Sequence, residues 1–240
     1  MKQIFIITFI LFVSQIANAQ VYVGLSSGVA ITKFKTTSEG PTLNKPSCKS
    51  LVGFNLDVPV LFKLTKNVAI QSGLSYLNMG TTINRDYSSY YVIDVTDPIY
   101  QALLNIDDTK YRLNYLSVPL TCNFSIPLNK YSVYIKAGGY ISTLLYGTNK
   151  SVESDSKKKL DLGREQLNTL DIGGILGGGM SRTIGSGFLF FDVRYMIGIS
   201  NLNESTDILA LSFGSNEVNN RGVFFNVGYM FNLGNKASEK

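Results

Sequence analysis

The side chains able to do chemistry are few. The 240 residues include no His, two Cys (Cys48 and Cys122), and 22 Lys and Arg against 17 Asp and Glu, a formal charge of +5. Without imidazole there is no Ser–His or Cys–His nucleophile, and the commonest metal ligand is missing. A carboxylate-only mechanism would need two acids converging in a cleft with proton affinities pushed apart, and no such pair stands out. Gly177-Gly178-Gly179 is not followed by Lys-Ser or Lys-Thr, so it is no phosphate loop. No cofactor and no metal are expected. Four charged residues remain, each set in an apolar stretch: Asp57, Lys136, Asp192 and Arg194. Two acids and two bases sum to zero. That suits a buried ion-pair network, since an unpaired buried charge costs several kcal/mol.

The elements that must position these residues read in steps of two. Val52, Phe54, Leu56, Val58, Val60 and Phe62 alternate with Gly53, Asn55, Asp57 and Pro59. Leu189, Phe191, Val193, Tyr195 and Ile197 oppose Asp192, Arg194 and Gly198. Val133, Ile135, Ala137 and Ile141 oppose Ser132, Lys136 and Ser142, and Val223, Phe225, Val227 and Phe231 oppose Asn226, Gly228 and Asn232. Eight such segments follow one another, and period two marks each as a strand with one apolar face. Charged residues are sparse at 16%, while Phe and Tyr number 14 each. The four charges all fall on the less apolar faces. So do Gly24, Gly28, Gly73, Gly173, Gly177 and Gly179.

The connections decide what kind of sheet this is. Those around 64–67, 127–130 and 183–186 are short. Those around 36–48, 84–109, 148–165 and 201–220 are long and polar. Strict alternation of short and long puts every tight turn at one end, the arrangement of outer-membrane barrels with short periplasmic turns and longer extracellular loops. At the start, Lys2, the apolar run Ile4–Val13 and Ala17-Asn18-Ala19 form an export signal. The expected organisation is a signal peptide over 1–19, a barrel over 20–233 and a short periplasmic tail over 234–240. The fold is all-β, an eight-stranded antiparallel up-and-down transmembrane β-barrel, with apolar side chains toward lipid and Asp57, Lys136, Asp192 and Arg194 in a filled lumen.

Two further expectations follow. Without Trp, the aromatic girdle must come from Tyr22, Tyr131, Phe188, Phe224, Tyr229 and Phe231 at the turn end, and from Tyr76, Tyr111, Tyr115 and Tyr146 toward the loops. Cys48 lies at the loop end and Cys122 near the turn end, too far apart for the ~7 Å Cα limit of a disulfide.

Several stretches resemble one family when taken in order. Asn114-Tyr115-Leu116-Ser117-Val118-Pro119-Leu120 is followed by Tyr134-Ile135-Lys136-Ala137-Gly138-Gly139-Tyr140 and by Leu170-Asp171-Ile172-Gly173-Gly174. Then come Phe191-Asp192-Val193-Arg194-Tyr195 and Val227-Gly228-Tyr229-Met230-Phe231. The series is similar to the PorT-like outer-membrane β-barrel family of Bacteroidetes. It departs in having Gly139 where the family pattern has Pro, and in a polar tail beyond Phe231. The resemblance implies an outer-membrane barrel and transfers no activity. The type member's role in protein secretion belongs to one branch.

The functional expectation is therefore a non-enzymatic integral outer-membrane protein, working through its loops or as a structural or secretion-associated component. Tyr87, Tyr90, Tyr91 and Tyr100 make the loop over 84–109 a possible contact surface for a protein partner. The charged loop over 148–165 could touch lipid or lipopolysaccharide head groups. Nucleic acid is not expected. The alternatives are a soluble, secreted lipocalin-like binding barrel, which needs an apolar cavity and a polar exterior, and an outer-membrane lipid-modifying enzyme.

Overall fold

A computed structural model describes residues 20–37, 47–84, 109–151, 157–160, 168–202 and 217–233. Nine strands account for nearly all of them: β1 (Gln20–Thr37), β2 (Ser47–Lys63), β3 (Val68–Asn84), β4 (Thr109–Leu128), β5 (Tyr131–Ser151), β6 (Lys157–Lys159), β7 (Leu170–Ile184), β8 (Gly187–Gly198) and β9 (Glu217–Asn232). Eight of these pair antiparallel with their neighbours in the order β4-β3-β2-β1-β9-β8-β7-β5, and β4 pairs with β5 to close the ring. Closure leaves no free edge to the ring, so the main-chain ladders run all round the wall, interrupted only locally, as at the bulge between Ser50 and Asn55.

The three short connections lie at one end. Asn129-Lys130 and Gly185-Ser186 are two-residue turns, with φ of 56° at Asn129 and 60° at Gly185. Tight hairpins need positive φ, which Asn and Gly adopt at least cost. In the third, the Thr65 hydroxyl accepts from the main-chain N–H of Asn67 (3.2 Å) and Val68 (2.9 Å). Both described chain ends lie here too, since Gln20 pairs with Lys63 and Tyr22 with Asn232.

β6 corrects the expectation of a plain loop over 148–165. The pairing of β5 with β7 ends at Thr143↔Leu170, while β5 runs on to Ser151. β6 takes the vacated place, Thr148↔Lys159 to Lys150↔Lys157, and supplies main-chain partners that β5 would otherwise lack.

The apolar face looks outward. Leu25 is 63% exposed, and Phe54, Leu56, Phe191 and Val227 are exposed all round the ring. Inside, Asn55, Asp57, Ser117, Lys136, Asp171, Asp192, Arg194 and Asn226 are buried. A lipocalin-like binder requires the reverse, and that alternative falls. The girdle is corrected by half. Tyr131, Tyr229, Phe231, Tyr76 and Tyr146 share the outward phase. Phe224 and Tyr115 are fully buried in the lumen, Tyr111 packs on the same interior cluster, and Tyr22 and Phe188 pack on a second one near the turns. Period two assigns a residue to a face. An aromatic on the polar face fills the tube, whatever its height.

Candidate functional site

Three consecutive register rows build the middle of the lumen. In one, Tyr134 on β5 faces Gly179 on β7, Gly179 faces Asp192 on β8, Asp192 faces Asn226 on β9, Asn226 faces Gly28 on β1, and Gly28 faces Asn55 on β2. Each glycine stands between two large polar residues. A Cβ on Gly179 would lie 2.8 Å from the Tyr134 hydroxyl, and one on Gly28 would collide with the Asn226 side-chain oxygen. With those positions bare, the Tyr134 hydroxyl reaches across to donate to Asp192 Oδ2 at 3.1 Å. Asn55 Nδ2 reaches across likewise to donate to Asn226 Oδ1 at 2.6 Å. The neighbouring row is Lys136–Gly177–Arg194–Phe224–Ala30, with the two cations again flanking a glycine. In the third, Ser26 on β1 is the register partner of Asp57 on β2.

The four charges anticipated from sequence come together here as two ion pairs. Lys136 Nζ lies 2.6 Å from Asp192 Oδ2, and Arg194 Nη2 lies 2.9 Å from Asp57 Oδ1 and 3.2 Å from Oδ2. Neutral side chains join the pairs. Asn55 Nδ2 donates to Asp57 Oδ2 at 2.8 Å, the Ser26 hydroxyl donates to the same oxygen at 3.2 Å, and Asn226 Nδ2 donates to Asp192 Oδ1 at 3.3 Å. The Arg194 guanidinium also sits 5.2 Å from the centre of the Phe224 ring, a cation–π contact. The result is one polar belt strung across the tube, in which each carboxylate meets a cation and two neutral hydrogen-bond donors. Such satisfaction is what makes a buried ionic group tolerable.

Sequence reasoning placed the charges but missed Tyr134, Asn55, Asn226 and Ser26 as their partners. The signal was present in the glycines. On a face that should be bulky, an isolated glycine marks a side chain crossing from the next strand.

A second polar knot lies toward the loops, around Asp171. Its Oδ2 accepts from Asn220 Nδ2 (2.8 Å) and the Tyr140 hydroxyl (3.3 Å), and its Oδ1 from the Ser200 hydroxyl (2.7 Å). Asn220 Nδ2 also donates to the Tyr115 hydroxyl at 3.0 Å. Around it pack Phe34, Leu77, Leu113, Tyr115, Leu144 and Met196. Below the ionic belt, the turn end opens into a vestibule of about 540 Å³. Leu61, Ala69, Phe190 and Met230 form its apolar wall, and Ser125, Ser132, Ser181 and Thr183 line its polar side. The vestibule ends at the belt. The space among the four charged residues is only about 10 Å³, at most a single water.

Cys48 and Cys122 are both free. Tyr87, Tyr90, Tyr91 and Tyr100 lie outside the described residues. Among the described residues there is no cluster of three Cys, Asp or Glu able to hold a metal ion.

The chain is similar to the Yersinia pestis attachment invasion locus protein Ail, at 14% identity over 88% of this chain and 99% of that one, with a TM-score of 0.40. It is also similar to OprG of Pseudomonas aeruginosa, at 10% identity over 89% and 97%, TM-score 0.45. A third is the Escherichia coli outer membrane protease OmpT, at 10% identity over 89% and 97%, TM-score 0.42. No curated protein matches the sequence. The family model for the outer membrane protein beta-barrel domain matches residues 13–204. A closed eight-stranded ring, greasy outside and polar within, is what that match requires: the chain belongs to the outer membrane protein beta-barrel domain family.

Proposed function

We propose that this protein is a non-enzymatic outer-membrane barrel whose lumen is a structural plug, and that its role is carried at the loop end as a structural or secretion-associated component. The observation that carries the reading is the belt of Asp57, Arg194, Lys136 and Asp192, in which each of the four charges is paired with one of opposite sign. A transport path needs polar groups that can exchange partners with a solute. A catalytic acid needs a cleft, and these carboxylates have none.

In this reading residues 1–19 direct export, the tight turns and both chain ends face the periplasm, and the loops face outward. The tyrosine-rich stretch over 84–109 is the proposed protein contact, and outer-leaflet lipid is the second partner. Kinship with the PorT-like branch rests on the ordered motifs from Asn114 to Phe231 and is proposed with it.

The experiment is solute permeation. Proteoliposomes holding the full chain should keep small sugars and ions as well as empty liposomes do. Swelling in an isotonic sugar, at a rate proportional to protein content, would overturn the sealed-lumen reading.

A further inference from the structure

We propose that the outer wall at the loop end of β9, β1 and β2 binds the phosphate of an outer-leaflet lipid head group, through Lys33 and Arg221 with Lys35 and Lys49 beside them. The inference builds on the membrane placement above and adds a ligand and a site to it.

Lys33 and Arg221 are direct register partners. Both continue the outward phase of their strands, after Val29 and Ile31 on β1 and after Val227 and Phe225 on β9, all exposed. Like charges directly opposite on one face repel and weaken a strand pair. An anion between them reverses the sign of that interaction. Lys35 is two positions further along the same face. On β2, Lys49 lies two residues past Leu51, the partner of Thr32. Its neighbour Cys48 packs on the interior cluster, so Lys49 points outward. Lys33, Lys35 and Lys49 are all exposed.

Among the described residues, no carboxylate forms an ion pair with this cluster. Of the described acids, Asp57, Asp171 and Asp192 are lumenal. Glu217, opposite Thr37 at the far end of the pair, is already engaged.

An independent observation comes from Arg221 itself. Its Nε is buried and has no hydrogen-bond partner. Nε is closed to solvent as the side chain lies, so a phosphate reaches it only when the guanidinium swings outward, and would then supply the acceptor that Nε lacks. The height of the site selects a lipid over a free anion. The next outward row below Lys33 and Arg221 is Ile31 and Val223, the top of the apolar belt. A phosphate held by the pair would therefore lay its attached acyl chains along Ile31, Val29 and Phe225.

The test uses the full chain in phosphatidylcholine nanodiscs with diphosphoryl lipid A titrated in, the retained lipid being read by native mass spectrometry. The wild type should retain lipid A, and Lys33→Gln/Arg221→Gln should bind it at least about tenfold more weakly, as expected for two basic groups lost at a membrane surface. The substitution removes a repulsion, so the barrel should still fold, which heat-modifiable migration on gels checks. Lys63→Gln/Lys66→Gln, at the turn end, should bind as the wild type does. Equal retention by wild type and Lys33→Gln/Arg221→Gln would overturn the site. Equal retention of fully dephosphorylated lipid A would overturn the phosphate contact, and displacement by millimolar inorganic phosphate would overturn the lipid. Nanodiscs offer lipid A on both faces, so these outcomes do not depend on orientation. Orientation is read separately, by impermeant maleimide labelling of intact cells carrying Asn129→Cys or Lys159→Cys in a Cys48→Ser/Cys122→Ser background, which removes the two native thiols. Labelling at 159 and not at 129 upholds the membrane placement, and the opposite pattern overturns it without touching the binding result.

Discussion

Arg194 and Asp57 illustrate why buried charges come as sets. Removing the arginine leaves a carboxylate in the lumen with Asn55 and Ser26 as its remaining donors. Arg194→Met is expected to lower the unfolding free energy by about 3–5 kcal/mol, the usual cost of breaking a buried pair from one side. Arg194→Met/Asp57→Leu should recover much of that loss. Urea titration of the barrel refolded in lipid vesicles measures both, and the double-mutant cycle isolates the coupling. Gly179 makes a different point. A Cβ there would meet the Phe191 carbonyl oxygen and, at 2.8 Å, the Tyr134 hydroxyl, so Gly179→Val should destabilise by about 1–3 kcal/mol through overpacking. Gly174→Ala, on the outward face of the same strand, where a Cβ would meet nothing nearer than 3.9 Å, is expected to cost far less in the same titration. Equal losses at the two positions would contradict the row of crossing side chains.

The strands were legible because their physics is local. Alternation through Val52–Phe62 and Leu189–Ile197 fixes which residues share a face, and short connections at 64–67, 127–130 and 183–186 fix which strands are hairpins. Sequence therefore placed Asp57, Lys136, Asp192 and Arg194 inside. Which of them pair with one another depends on register around the whole ring, and no single strand carries that information. The aromatics were harder for the same reason: Phe224 and Phe225 are adjacent, and one fills the lumen while the other faces out. β6 was invisible because Lys157-Lys158-Lys159 has no strand propensity of its own. It is a strand because β5 outruns β7.

The prolines also depart from local rules, since Pro59 and Pro119 lie within paired strands, where a missing N–H is normally excluded. The β1–β2 register skips Val58 and Pro59, and the β3–β4 register skips Val118 and Pro119, so each proline sits at a gap in one ladder, and the Ser72 hydroxyl donates to the Pro119 carbonyl at 2.9 Å. Depth in the belt is an element's other property. Leu56→Arg, in the middle of the outward face of β2, should cost about 2–4 kcal/mol, and Leu128→Arg, beside a turn, about 0–1 kcal/mol. Equal costs in vesicle-refolding titrations would contradict the span assigned to the belt.

The molecule as a whole is a core turned inside out: apolar surface sought by lipid on the outside, and a tube of largely hydrogen-bonded polar side chains within, where Asn55 Oδ1, Asn220 Oδ1 and Arg194 Nε alone among the described lumenal side-chain atoms are buried without a partner. Among the described residues, the lumen is filled toward the loops by the cluster around Asp171 and Tyr115 and in the middle by the ionic belt, and it opens at the turn end. The chain contains no Trp, so one introduced indole reports on one position. Phe190 and Phe191 are neighbours in sequence, one lining the vestibule and the other 42% exposed on the wall. With the full chain in vesicles of brominated lipid, Phe191→Trp fluorescence should be strongly quenched and Phe190→Trp fluorescence barely changed. Strong quenching at 190 with none at 191 would mean that the barrel faces the other way.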